Sequence, residues 1–164
     1  MHEHLTMMAQ HNKWANARIS EAISQIPEDD YLKDRGSFFG TIHGTLNHLL
    51  LVDRLWHGRM IGKPYPADRL DLIVAEDRDT YIRERAAEDD ILIDFIASLS
   101  PEDLEGEISY STLIGFSATD KRRVILAHMF NHATHHRGQA HDQLSRVPMD
   151  PPPLDLMIYL HTLK

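Results

Sequence analysis

The stretch that decides the fold is Ser117–Val147, SATDKRRVILAHMFNHATHHRGQAHDQLSRV. It contains neither Gly nor Pro before Gly138, and Ser117 with Asp120 three residues later forms a weak capping box, with Thr119 as an alternative cap. This pattern predicts a long helix. The stretch also carries five of the chain's twelve histidines: His128, His132, His135, His136 and His141. Residues four apart share a helix face, so two histidines at that spacing can direct their imidazole nitrogens at one metal ion.

The apolar residues of this helix indicate which histidines face the core. On a helical wheel at about 100° per residue, one side gathers Leu126, Met129, Phe130, Ala133, Ala140 and Leu144. His136 lies roughly 50° from the centre of that stripe and His132 roughly 90°, whereas His128 and His135 lie roughly 130° and 150° away. We therefore interpret His132 and His136 as a metal-binding pair, and His135 and His141 as surface or supporting residues. The alternative is that all five are solvated.

Composition and charge restrict the class of protein. The 164 residues are 42% hydrophobic and 26% charged, which is typical of one soluble globular domain over residues 1–164. A net charge of −8 argues against a nucleic-acid surface and against an anionic membrane surface. The absence of Cys excludes disulfides and thiolate metal sites. No signal peptide and no membrane-spanning run is recognisable, so we expect a cytoplasmic protein.

Periodic apolar residues predict three further long helices, connected by segments rich in Gly and Pro. Their predicted bounds are His4–Ile26, Thr41–Met60 and Leu70–Leu99. Acidic groups in the third, such as Glu88–Asp90, are most simply a solvated face. Glu105–Phe116 is predicted to be extended or irregular over the mouth of the bundle, and Leu154–Leu163 to form a short last helix. Four long amphipathic helices favour an all-α four-helix bundle with a short extra C-terminal helix.

The second of these helices offers a third candidate ligand. Its run Leu49–Val52 is apolar almost all round, so the helix is expected to be largely buried. His48 shares a side with apolar residues one and two turns on, whereas Asn47 falls on a more polar side. From the residues alone, His48 is either a hydrogen-bonded core residue or a metal ligand. As a ligand it would join His132 and His136 and leave a coordination position open, as in catalytic metal sites.

Several common catalytic motifs are missing from the chain. No Glu is followed by His three residues later, which excludes the signature of carboxylate-bridged di-iron bundles. There is no HExxH metalloprotease motif, no GxSxG elbow and no phosphate-binding Gly-rich loop. Histidines without cysteines suit Zn²⁺, Ni²⁺, Fe²⁺ or Mn²⁺, and the spacing does not choose among these ions.

Three short motifs, taken in order along the chain, resemble the DinB/YfiT-like family. They are His11–Asn16 (HNKWAN), Gly44–Leu50 (GTLNHLL) and His128–Gln139 (HMFNHATHHRGQ). The closing Leu154–Leu160 (LDLMIYL) also resembles the family's C-terminal helix. Each motif alone is weak, but the ordered set is specific and covers nearly the whole chain. The chain departs from the family pattern at His11, where Tyr is expected, and this adds an imidazole near the bundle.

The resemblance implies a four-helix bundle with a non-standard connection order and often a homodimer. It also implies a divalent metal, with Zn or Ni ahead of Fe or Mn, bound by His48, His132 and His136. Relatives in the family include thiol-dependent S-transferases and isomerases, while many members have no assigned reaction. A small-molecule substrate and a low-molecular-weight thiol as cofactor are therefore implied. Neither nucleic acid nor membrane is an expected partner, in agreement with the acidic charge.

Residues and resemblance together predict a metal-dependent enzyme of the transferase, isomerase or hydrolase type. Its metal would lower the pKa of a bound water or thiol. Asn131, Arg137 and Gln139 are candidates for orienting the ligands or contacting substrate, and His135 is a further one, but no general base can be assigned. One alternative is a non-catalytic bundle that binds a metal or small ligand. Another is a structural helical protein whose histidines take up adventitious metal.

Overall fold

Four long helices form the body of the protein, which confirms the predicted all-α bundle. The structure is a computed structural model that describes residues 1–164. In chain order the elements are α1 (His2–Gln25), α2 (Glu28–Leu32), α3 (Ile42–Met60), α4 (Arg78–Ser98), α5 (Pro101–Glu105), β1 (Glu107–Ser111), β2 (Ser117–Lys121), α6 (Arg122–Leu144) and α7 (Leu156–His161). α1 packs against α4 and α6, and α3 packs against α6 and α4. The short α7 is the extra C-terminal helix and lies against α1.

The core consists of two apolar clusters with a polar layer between them. One cluster includes Ile23, Leu46 and Leu144, and the other includes Leu5, Trp56 and Phe130. Each long helix contributes a buried polar residue near the boundary between the clusters; these are Asn12, Asn16, Asp53, Arg85, Asp89 and Arg137. None of the helices combines the length and the apolarity needed to cross a lipid bilayer.

The polar layer is held together by a buried arginine. Arg85 donates to Asp53 (Nη1 to Oδ2, 2.7 Å) and to Asp89 (Nη2 to Oδ1, 2.9 Å), and Asn16 donates to Asp89 as well. Glu88 and Asp89 are 5% and 3% exposed, so the prediction of a solvated acidic face was wrong for these two residues. Glu88 is paired with Arg54 on α3. Asp89 is paired with Arg85 on its own helix and with Asn16 on α1. The partners on α1 and α3 are what a wheel of one helix cannot reveal.

The predicted start of the histidine-rich helix was also wrong. Ser117–Lys121 is not its capping turn but the strand β2, which pairs antiparallel with β1 and places Thr119 opposite Ser109. α6 therefore begins at Arg122. Pairing with a strand about ten residues away replaces the local capping interaction. Polar side chains also hydrogen-bond across the two strands and stabilise the pairing, as Ser109 and Thr119 do at 2.8 Å.

The predicted third helix begins eight residues later than expected. Leu70–Asp77 is not helical, and α4 starts after Asp77, whose side chain accepts a hydrogen bond from the backbone N–H of Thr80. The backbone N–H groups of Val74 and Ala75 donate to Asn47 instead of joining a helix. The α3–α4 loop is thus fastened to α3, and this matters for the histidines described next.

Candidate metal centre

The structure brings together the three histidines His48, His132 and His136. Nε2 of His48 lies 3.3 Å from Nε2 of His132, and one ring nitrogen from each of the three lies within 4.8 Å of the others. The ring of His136 is centred 4.5 Å from that of His48 and 4.3 Å from that of His132. Three imidazoles from two helices therefore converge on one point.

Helix geometry explains why these three meet. His132 and His136 are one turn apart on α6, beside an apolar stripe that includes the buried Ala133 and Ala140, and α6 packs against α3. His48 lies on α3 among neighbours that are all buried, so its side chain has only the space between the helices to occupy. His48 and His136 are buried and His132 is half-buried. The cluster is therefore most exposed to solvent at His132.

Hydrogen bonds to Nδ1 fix the orientation of two of the rings. Nδ1 of His48 donates to the backbone carbonyl of Leu70 at 2.8 Å, and Nδ1 of His136 donates to Oε1 of Gln139 at 2.7 Å. In a neutral imidazole, a proton on Nδ1 leaves the lone pair on Nε2. Both rings thus direct a lone pair at the common point. Nδ1 of His132 is buried and has no partner.

Burial keeps all three imidazoles neutral near pH 7. Loss of solvent, reinforced by the neighbouring imidazoles, lowers the pKa of His132 to about 3. Burial lowers the pKa of His136 to about 4, although its bond to Gln139 acts in the opposite direction. Burial also lowers the pKa of His48, opposed by its bond to Leu70. Only the neutral ring can bind a metal, so the site does not have to lose protons first.

The donor set fits a divalent transition-metal ion. Two nitrogens bound at about 2.0–2.1 Å to one tetrahedral ion lie about 3.3–3.4 Å apart. The Nε2 atoms of His48 and His132 are already separated by 3.3 Å. Three neutral imidazoles without thiolate or carboxylate suit Zn²⁺, Ni²⁺ or Fe²⁺ and leave at least one coordination position for another ligand.

Aromatic and apolar side chains enclose the cluster. Phe39 stacks on His48 with ring centroids 4.0 Å apart and presents its edge to His136. A cavity of about 150 Å³ opens beside His48 and His132. Leu113 and Ile114, from the loop between β1 and β2, line this cavity. The extended segment predicted to lie over the mouth of the bundle thus covers the cavity as a β-hairpin.

The remaining sequence candidates are placed at different distances from the cluster. Gln139 bonds to His136 directly, and its Nε2 lies 3.2 Å from Nε2 of His135, which is exposed. Asn131 is exposed. Arg137 is 3% exposed and donates to Asn12, Asn16 and Thr134 in the polar layer rather than to a histidine. The structure therefore gives Gln139 a supporting contact and leaves Asn131 and Arg137 away from the three rings.

Sequence analysis missed the residue that fastens the loop beside His48. Asn47 was placed on a polar side but is fully buried, and its Oδ1 accepts from the N–H groups of Val74 (2.9 Å) and Ala75 (2.8 Å). The same loop supplies the Leu70 carbonyl that orients His48. The position of Asn47 next to His48 in an apolar run indicated a buried polar role. Its partners could not be identified from the helix, because they lie 27 and 28 residues further along the chain.

A four-helix bundle with three convergent histidines is the class of protein that this fold and site define. The model of the DinB family matches residues 1–163, and the chain belongs to that family. It is similar to Protein DinB of Bacillus subtilis (strain 168), with 25% identity over 164 aligned positions that cover 94% of this chain and 92% of that protein. The resemblance inferred from the three motifs is thereby confirmed.

Proposed function

We propose that this protein is a metal-dependent enzyme that acts on a small molecule, with activated water or a small thiol as the nucleophile. The observation that carries the proposal is the convergence of three neutral imidazoles beside a cavity. When bound, a divalent ion would supply Lewis-acid chemistry, lowering the pKa of water or a thiol and polarising a carbonyl or epoxide oxygen.

The residues of the chain have separate roles in this proposal. His48, His132 and His136 would hold the ion, which we propose to be Zn or Ni before Fe or Mn. The Leu70 carbonyl and Gln139 keep two of the rings in the tautomer that binds metal. Phe39, together with the hairpin loop, would limit the access of water to the reacting groups, which would strengthen electrostatic interactions inside the site.

Elemental analysis of protein purified without a His tag tests the metal site. We expect about one ion per chain in the wild type, and loss of that ion in His132→Ala because the remaining pair is a weaker site. His135→Ala is the matched control, since it removes a neighbouring but exposed histidine of the same helix. Unchanged stoichiometry in His132→Ala would overturn the proposal.

A second candidate function is a non-catalytic bundle that binds a metal or small ligand. This function is favoured because no carboxylate lines the cavity to act as a general acid or base. Apart from the histidine cluster and Arg59, the one titratable residue in the lining is His128. A screen of metal-loaded protein with low-molecular-weight thiols and electrophiles separates the two. Product formation supports the enzyme, whereas retention of unchanged ligand supports the binding protein.

We propose a cytoplasmic location, which cell fractionation would test. We also propose a homodimer, which light scattering at several protein concentrations would test.

Competition with mild chelators tests the remaining alternative, a structural helical protein whose histidines take up adventitious metal. Metal on surface histidines would be removed at micromolar chelator concentrations, whereas metal on a three-histidine site would not.

A further inference from the structure

The cavity beside the histidines has a positively charged far end. Arg59 lines this cavity together with His48 and His132. Arg59 follows His48 by eleven residues on α3, which is close to three full turns, so the two side chains leave the helix on nearly the same side. Their backbone positions are about 16 Å apart along the helix axis. One end of the cavity is thus formed by neutral imidazoles and the other by a cation.

The guanidinium of Arg59 has no anionic partner in the protein. It lies 4.5 Å from the ring centroid of Trp56 and 5.7 Å from that of Tyr110, and its Nη2 donates to the carbonyl of Ser111 at 3.0 Å. Its neighbour Arg54, by contrast, pairs with two glutamates. Stacking on the aromatic rings engages the face of the guanidinium, and of its five N–H donors one is bonded to Ser111, so the others can bind a ligand.

The remaining wall of the cavity is mostly apolar, with Thr112 and His128 as its polar members. Val52 and Leu55 on α3 and Leu113 and Ile114 on the hairpin loop line the cavity between Arg59 and the histidines. Ile114 is 78% exposed, so this wall extends to the surface. Such a surface favours the burial of a hydrocarbon chain.

We propose that the cavity binds a carboxylate-bearing small molecule in an extended conformation, with its carboxylate on Arg59. An apolar body would lie on Val52, Leu55 and the hairpin loop, and the group to be activated would reach the histidines. The placement of the reacting group at the histidines rests on the proposed metal-dependent function. We call the end of the cavity at Arg59 the anion subsite. It indicates amphiphilic monocarboxylates as the substrate class and makes Arg59 a specificity-determining residue. Arginine suits this role because its planar fork matches a carboxylate bidentately.

The competing explanation is that Arg59 only clips the hairpin to α3. In that case its charge would be irrelevant to ligands, and its contacts to Trp56 and Ser111 would be its whole role. A comparison of charged and neutral ligands of equal length separates the two explanations, because a clip affects both ligands equally.

Straight-chain thiols provide this comparison on Co²⁺-loaded protein. We would titrate mercaptoalkanoic acids of three, six and eight carbons, and the mercaptoalcohols of the same lengths, and follow the sulfur-to-cobalt charge-transfer band. We expect at least one acid to bind about tenfold more tightly than its alcohol. In Arg59→Met, which keeps the stem on Trp56, the preference should disappear without loss of bound cobalt, and Arg59→Lys should retain part of it. Equal affinities for acid and alcohol at every length would overturn the inference.

A second measurement does not depend on the metal and separates the two proposals. The chain has two tryptophans, so the indole N–H signals in a ¹H–¹⁵N spectrum of metal-free protein report on two sites. Octanoate should shift the signal of Trp56, beneath Arg59, and leave that of Trp14, which stacks on His11, unchanged. Octanol, which lacks the carboxylate, should shift the Trp56 signal less than octanoate does. A shift of the Trp56 signal in a protein that does not bind cobalt would support the anion subsite and refute the metal centre. Cobalt binding without a shift of the Trp56 signal would support the metal centre and refute the anion subsite.

Discussion

Replacing Asn47 with Ala tests whether the loop beside His48 is part of the metal site. Asn47 is fully buried, its Oδ1 accepts from the N–H groups of Val74 and Ala75, and its Nδ2 donates to the carbonyl of His43 at 3.1 Å. The substitution leaves two loop N–H groups without their acceptor, one of them on a buried residue. Each such group costs about 1–3 kcal/mol, so we expect the free energy of unfolding to fall by about 2–4 kcal/mol.

The same substitution should also weaken metal binding. A loop released from Asn47 no longer holds the Leu70 carbonyl 2.8 Å from Nδ1 of His48, and loss of such a supporting contact lowers metal affinity about 10–100-fold. Urea unfolding of the metal-free protein gives the stability, and competition with a chromogenic chelator gives the affinity. Asn131→Ala is the matched control, because Asn131 is exposed on α6 and should change stability by no more than about 0.5 kcal/mol. An Asn47→Ala variant that loses stability but keeps its metal affinity would refute the coupling between loop and site.

Three further substitutions separate the contributions of other contacts. Gln139→Ala removes the acceptor of Nδ1 on His136, so we expect metal affinity to fall about 10–100-fold in the chelator assay, and an unchanged affinity would show that this contact is dispensable. Arg85→Met leaves two buried aspartates without their cation and should lower the free energy of unfolding by about 3–5 kcal/mol, whereas Arg146→Met, which breaks an exposed pair, should cost at most about 1 kcal/mol; similar losses would contradict the argument. Burial lowers the pKa of His43, so the unfolded chain gains a proton near pH 6.5 that the folded protein resists, and unfolding at several pH values should show the wild type losing stability relative to His43→Gln as pH falls below about 6.5. A pH-independent difference would mean that His43 titrates alike in both states.

The sequence was sufficient where one helix determines its own environment. The buried residues of α6 recur at three- and four-residue steps, and the wheel correctly placed His136 at the core boundary, His132 beside it, and His128 and His135 outside. It was insufficient where the partner lies elsewhere in the chain. Ser117 pairs with Ser111 across a hairpin instead of capping a helix. His48 could not be assigned from α3 alone, because its neighbours Leu70 and His132 lie 22 and 84 residues away.

The position of the polar layer explains how the fold can hold three imidazoles together before any ion binds. On α6, Arg137 follows His136 about 100° further round the helix and donates to Asn12 on α1. Asn16, also on α1, bonds both to Arg137 and to Asp89 on α4, which in turn bonds to Arg85. α6 is thus bonded directly to α1 and, through Asn16, linked to α4, and it also packs against α3. Because packed interiors resist displacement, a one-turn pair of histidines on a helix fixed from both sides keeps its distance to His48. The fold itself therefore positions the three histidines, so an ion that binds there would not have to order them first.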